Sequence, residues 1–93
     1  MEIDEHNSKL IYETSDFLLA SCLLSLGFFL LPLNSENPRR VVFCYKSSAK
    51  LQSAVASFWS RELRLDPIVL FENIKYLKSL LRETLKEGQQ HAH

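Results

Sequence analysis

Between residues 39 and 64 stand six basic side chains, Arg39, Arg40, Lys46, Lys50, Arg61 and Arg64, against the single acid Glu62. The chain as a whole has a formal net charge of zero, so this excess is local and is offset elsewhere. Residues 1–16 supply part of the offset, with Glu2, Asp4, Glu5, Glu13 and Asp16 against Lys9. A cationic region on a neutral protein suits an acidic partner without requiring one. Arginine presents planar donors that engage a phosphate or a carboxylate through two bonds at once. Arg39 and Arg40 would point to opposite faces of a strand, so one surface can use only one of them. Either could instead guard a sheet edge or pair with Glu36.

Phe43 and Tyr45 lie in the same window and would share one face of an extended segment with Arg39 and Val41. Aromatic side chains on a sheet, edged by arginine, are the chemistry with which some RNA-binding sheets stack single-stranded bases. The glycines that accompany that signature are missing, and the same pair could pack into a core or against a second copy of the chain. Further on, Lys75, Lys78, Arg82 and Lys86 recur at i, i+3, i+7 and i+11, which places them on one face of a helix. Such a row is either a solvated surface or an extension of the basic region. Trp59, between Phe58 and Ser60, reads as a core residue; with Arg61 and Arg64 close by, it would be a partner-binding anchor if exposed.

Catalytic and metal-binding patterns find little material. His6, His91 and His93 all fall near the ends of the sequence, and Cys22 and Cys44 form no CxxC and have no histidine at ligand spacing. Two glycines, Gly27 and Gly88, cannot build a phosphate-cradling loop, and no serine is followed by an elbow glycine. The expectation is a protein that is not an enzyme and uses no cofactor or metal. The two cysteines read as small buried hydrophobes in a reducing cytoplasm.

The elements that must position these residues follow from patterning. Lys9–Glu13 is a short β-like run. Thr14-Ser15-Asp16 then signals a helix start, with Thr14 or Ser15 as cap and a helix over residues 16–26 that is apolar nearly all round. Gly27 suits the left-handed residue that ends it. Phe28–Leu33 and Arg39–Lys46, joined by Asn34-Ser35-Glu36-Asn37-Pro38, predict a central antiparallel hairpin. Ser47-Ser48 cap a helix whose stripe is Leu51, Val55, Phe58 and Trp59. Asp66-Pro67 restarts the chain as a helix to about Glu87, stopped by Gly88, with Leu70 or Phe71, Ile74, Leu77, Leu81 and Leu85 inward.

The order β-α-β-β-α-α predicts an α+β fold: a small three-stranded sheet in the order 2-3-1 around the central hairpin, with the helices on one face. Residues 1–8 are expected as a flexible acidic leader, 9–88 as one compact domain and 89–93 as a frayed tail. Apolar residues at 46% and charged residues at 24% are usual for a globular chain. The uncharged run Phe17–Leu33 is broken by Gly27 and Pro32 and follows acidic residues, so it reads as a helix running into a strand, with no membrane span. Two open sheet edges and an uncovered aromatic face favour self-association, as a dimer.

The words Tyr12-Glu13-Thr14-Ser15-Asp16-Phe17-Leu18-Leu19-Ala20, Gly27-Phe28, Asn37-Pro38-Arg39-Arg40-Val41-Val42-Phe43, and Phe58-Trp59 before Asp66-Pro67 carry a resemblance. Together, over residues 12–81, the chain resembles a family of short prokaryotic and mobile-element proteins known only as a domain of unknown function. The resemblance implies a stand-alone compact domain in the cytoplasm, and no activity or catalytic residue comes with it. Two functions follow as expectations. One is a non-enzymatic nucleic-acid-binding accessory protein, of DNA or RNA, using the six basic residues of the 39–64 window, possible base stacking by Phe43 and Tyr45, and the basic row. The other is a protein-interaction or homo-oligomeric module using apolar hairpin and helix faces.

Overall fold

The computed structural model describes residues 10–33 and 41–91, with side chains through Leu85. Its elements are β1 (Ile11–Thr14), α1 (Phe17–Ser25), β2 (Phe43–Lys46), α2 (Ala49–Ser60) and α3 (Pro67–His91). The α+β class holds. The three-stranded sheet does not: β1 and β2 form a two-stranded antiparallel sheet, with Tyr12 opposite Tyr45 and Thr14 opposite Phe43.

Among the described residues, the expected central hairpin is reduced to a single bridge. From the run Phe28–Leu33, only Leu30 bridges Tyr45, and the Leu31 N–H donates to the Cys44 carbonyl at 2.9 Å. Pro32 has no N–H to continue a ladder, and the connecting residues 34–40 lie outside those described. β2 still has β1 on one side and the Leu30 bridge on the other, which is the expected 2-3-1 neighbourhood without a third strand.

The axis of the molecule is α1. Leu19, Ala20, Ser21, Cys22 and Leu23 are consecutive and all buried, because β1, α2 and α3 pack around this one short helix. Asp16 caps it, with Oδ1 accepting from the Leu19 N–H at 2.9 Å; Thr14 serves Asp16 instead, its Oγ1 accepting from the Asp16 N–H at 3.0 Å. The cap is thus one or two residues later than the sequence suggested. Two serines are tolerated in so apolar a helix because each returns its proton to the preceding turn. Ser21 Oγ donates to the Phe17 carbonyl (3.0 Å) and Ser25 Oγ to the Ser21 carbonyl (2.8 Å). Asn73 of α3 donates to Ser25 Oγ at 3.0 Å, which ties the two helices together.

Gly27 ends α1 as expected. Its φ is +97°, its N–H donates to the Leu24 carbonyl and that of Phe28 to the Leu23 carbonyl, the paired bonds of a Schellman turn. The far helix behaves differently from expectation, since α3 continues through Gly88 to His91. Asp66 and Pro67 open α3 as predicted, with Asp66 Oδ1 accepting from the Ile68 and Val69 N–H groups. No helix among the described residues is long and apolar enough to cross a membrane.

The core joins Leu19, Ala20 and Leu23 of α1 to Phe43 and Tyr45 of β2, Leu51 of α2 and Leu77 of α3. Tyr45 is the largest side chain in it. Its hydroxyl donates to the Ala20 carbonyl at 2.6 Å, so the one polar atom it carries inward is satisfied. Phe17 meets the Phe43 ring edge-on at 6.2 Å.

Candidate nucleic-acid interface

The expected base-stacking pair is not on the surface. Phe43 is 2% exposed and Tyr45 0%, both under α1, so neither can stack on a base or face a second chain. Covering that sheet face removed the need for a partner there. The opposite face carries Ile11 and Glu13 with Lys46 and Cys44 across from them, a mixed surface of ordinary polarity. Cys22 and Cys44 are free thiols, the first buried and the second half-buried. Burial, with Asp16 near Cys22 and Glu13 near Cys44 as smaller causes, raises both above the usual thiol value.

The six basic residues are divided. Arg39 and Arg40 lie outside the described residues. Lys46 ends β2 and Lys50 sits in the first turn of α2; Arg61 and Arg64 follow its last turn, and all four are exposed. Ten residues of α2 lie between Lys50 and Arg61, so the two are about 16 Å apart along the helix axis. Among the described residues, Lys46 and Lys50 stand at the start of α2 and Arg61 and Arg64 beyond its end.

Exposed aromatic and basic side chains instead flank the connection between α2 and α3. Trp59, expected in the core, is 60% exposed and stands edge-on to Phe58 at 4.9 Å. It lies about 90° round α2 from the stripe formed by Leu51, Ala54, Val55 and Phe58. Phe71 is 61% exposed, and the Lys75 ammonium lies 5.3 Å from its ring centroid. The choice between Leu70 and Phe71 for the buried stripe thus falls to Leu70. At about 100° per residue, Phe71, Lys75, Lys78 and Arg82 share one flank of α3, whereas Glu72, Glu83 and Tyr76 occupy the other. Lys75, Lys78 and Arg82 are all exposed.

Arg61 holds the corner in an unusual backbone state, with φ +66°, the left-handed region where a residue other than glycine is strained. Its N–H donates to the Phe58 carbonyl, and the Glu62 N–H donates to the Ser57 carbonyl at 2.9 Å. Arg61 borders a pocket of 280 Å³ lined by Cys22, Phe58, Leu63, Leu65, Pro67 and Leu70. Leu63 and Leu65 turn into it, and Arg64 between them is exposed.

A second, larger depression of 560 Å³ lies along the other flank of α3. Gly27–Leu33 form one wall and Tyr76, Leu80 and Thr84 the other, with Phe29 at 76% exposed beside it. Among the described residues no group of three or more His, Cys, Asp or Glu could hold a metal ion.

The sequence reading left Phe71 as an alternative to Leu70 in the buried stripe and favoured Trp59 as core, with a partner anchor as its alternative; both are exposed. The available signal was position: Trp59 is the last but one residue of α2, and Phe71 falls about a quarter of a turn from the middle of the stripe that Leu70, Ile74 and Leu77 define. Comparisons with curated proteins and with solved structures returned no match. A family match covers residues 9–83, nearly the whole span described above, and on that basis this chain belongs to the family described as a domain of unknown function, DUF5659.

Proposed function

We propose that this protein is a small non-enzymatic module of the cytoplasm that binds nucleic acid, preferring single strands, at the α2–α3 corner. The observation that supports the reading is that Trp59 and Phe71 are both exposed on a stretch of chain whose Arg61, Arg64, Lys75, Lys78 and Arg82 are exposed too, with the Lys75 ammonium over the Phe71 ring. Exposed aromatic faces accept bases whatever their sequence, and a row of cations follows the phosphates. Lys46 and Lys50, about one helix length away, would extend the electrostatic path. Arg39 and Arg40 remain part of the proposal as further phosphate contacts.

Trp59 is the chain's one tryptophan, so its emission reports directly on the site. Titration with oligothymidylate should quench it, and the affinity should fall with salt at a log–log slope of about −3.5 if five cations touch phosphates. Reversing Arg61 and Arg64 to Glu should abolish the quench. Unquenched emission at low salt, with no retention on a single-stranded DNA column, would sink the reading.

A second reading is supported by the larger depression and by Phe29 and Tyr76 beside it. In it the chain is a protein-interaction or homo-oligomeric module, and the apolar wall Gly27–Leu33 meets a partner. It predicts a dimer in sedimentation at micromolar concentration, indifferent to salt, with Trp59 emission unchanged by oligonucleotide.

A further inference from the structure

We infer that the pocket beside Arg61 is a binding site for a small organic carboxylate with an apolar body. The inference does not depend on the nucleic-acid reading. Four parts of the chain meet there: Cys22 from the buried helix α1, Phe58 from α2, Leu63 and Leu65 from the connection, and Leu70 from α3. Every lining group except Arg61 is apolar or a thiol, and Cys22 is 6% exposed.

The one charged residue among them is exposed, and its backbone is held at the end of α2. Three backbone bonds pin the end of α2, from Arg61, Glu62 and Leu63 N–H groups to the Phe58 and Ser57 carbonyls. A left-handed position that glycine would fill without strain instead carries a guanidinium. Of the neighbouring acids, Asp66 caps α3, and Glu62 is exposed with the Ser60 hydroxyl 3.1 Å from its carboxylate. The pocket therefore meets a cation at its rim and hydrocarbon within.

Size and lining narrow the occupant. A volume of 280 Å³ falls at the lower edge of the usual range for small-molecule sites, roughly 300–1,000 Å³. A sugar or nucleotide would bury several hydroxyls among leucines with no partners for them, at a cost that hydrogen bonding could not recover. A short alkyl or aryl carboxylate satisfies both ends, with the chain against Leu63, Leu65 and Leu70 and the carboxylate on the arginine fork.

The test uses the full chain with octanoate, octanamide as its neutral counterpart, and amide ¹H–¹⁵N spectra. Octanoate should shift the Cys22, Leu63, Leu65 and Leu70 resonances saturably, and octanamide should bind about tenfold more weakly, the discrimination a charge-assisted bond gives. Arg61→Gln should weaken octanoate by a similar factor and leave octanamide unchanged, whereas Arg61→Lys should recover part of the loss. Equal affinity for the two compounds, no shifts, or shifts centred on Phe29 and Tyr76 would each overturn the inference. If Arg61→Gln fails to fold by circular dichroism, the comparison of octanoate with octanamide on the unmodified chain decides alone.

Discussion

Phe43 and Tyr45 on β2, and Trp59 and Phe71 at the α2–α3 corner, are aromatic pairs with opposite fates. The first pair lies under α1 and anchors the core; the second is exposed, with the Lys75 ammonium over the Phe71 ring. Strand alternation sends Phe43 and Tyr45 to the same side, where α1 covers them together with Leu51 of α2 and Leu77 of α3. Trp59 and Phe71 each fall at the margin of a helix stripe, where one step of about 100° separates inside from outside. The comparison shows that aromatic content and nearby charge mark candidate contacts only after register decides which face is covered.

The largest way to break this contrast is to truncate one member of each pair. Tyr45→Ala should cost about 3–5 kcal/mol through the cavity it leaves, and Trp59→Ala about 1 kcal/mol or less, both read from urea unfolding. Equal losses would mean that Trp59 is part of the core. Binding should show the reverse order. Trp59→Ala and Phe71→Ala should each weaken oligothymidylate by about 1–3 kcal/mol with little change in unfolding midpoint, as base–aromatic stacking does elsewhere.

Alkaline pH sharpens the buried side of the comparison. Burial raises the Tyr45 phenol above its usual 10.0, and burial first, then Asp16 and Glu13, raise Cys22 and Cys44 above 9.0. The folded state therefore keeps protons that the unfolded chain releases. Stability is intact below the unfolded values and declines as pH rises through 9.0 and 10.0 towards the folded ones. The urea midpoint should drop between about pH 8 and about pH 10.5, and less steeply in Tyr45→Phe. At neutral pH that same variant should lose only about 1 kcal/mol, the worth of its bond to the Ala20 carbonyl.

The smallest expected effect concerns the exposed corner. Arg61→Gly should stabilise the fold by about 1 kcal/mol, because glycine takes φ +66° without strain, while weakening both proposed ligands of the corner. A destabilised variant would show that the arginine side chain contributes more packing than its strained backbone costs.

Local chemistry by itself determined a good part of this protein. Asp66-Pro67, Ser48 and Gly27 set helix boundaries through bonds within a few residues of chain, and each stands where the sequence placed it. Leu51 and Leu77 were legible as core from their spacing alone. Tertiary structure decided the rest. Whether Phe28–Leu33 became a strand depended on cross-strand bonds to β2, and Pro32 with a single bridge at Leu30 left it short of one. Whether the basic residues met depended on the length of α2, which carried Lys50 and Arg61 to opposite ends. Composition records how many aromatic and cationic groups a chain holds; only the packing of α1 against the sheet and α3 settles which of them reach water.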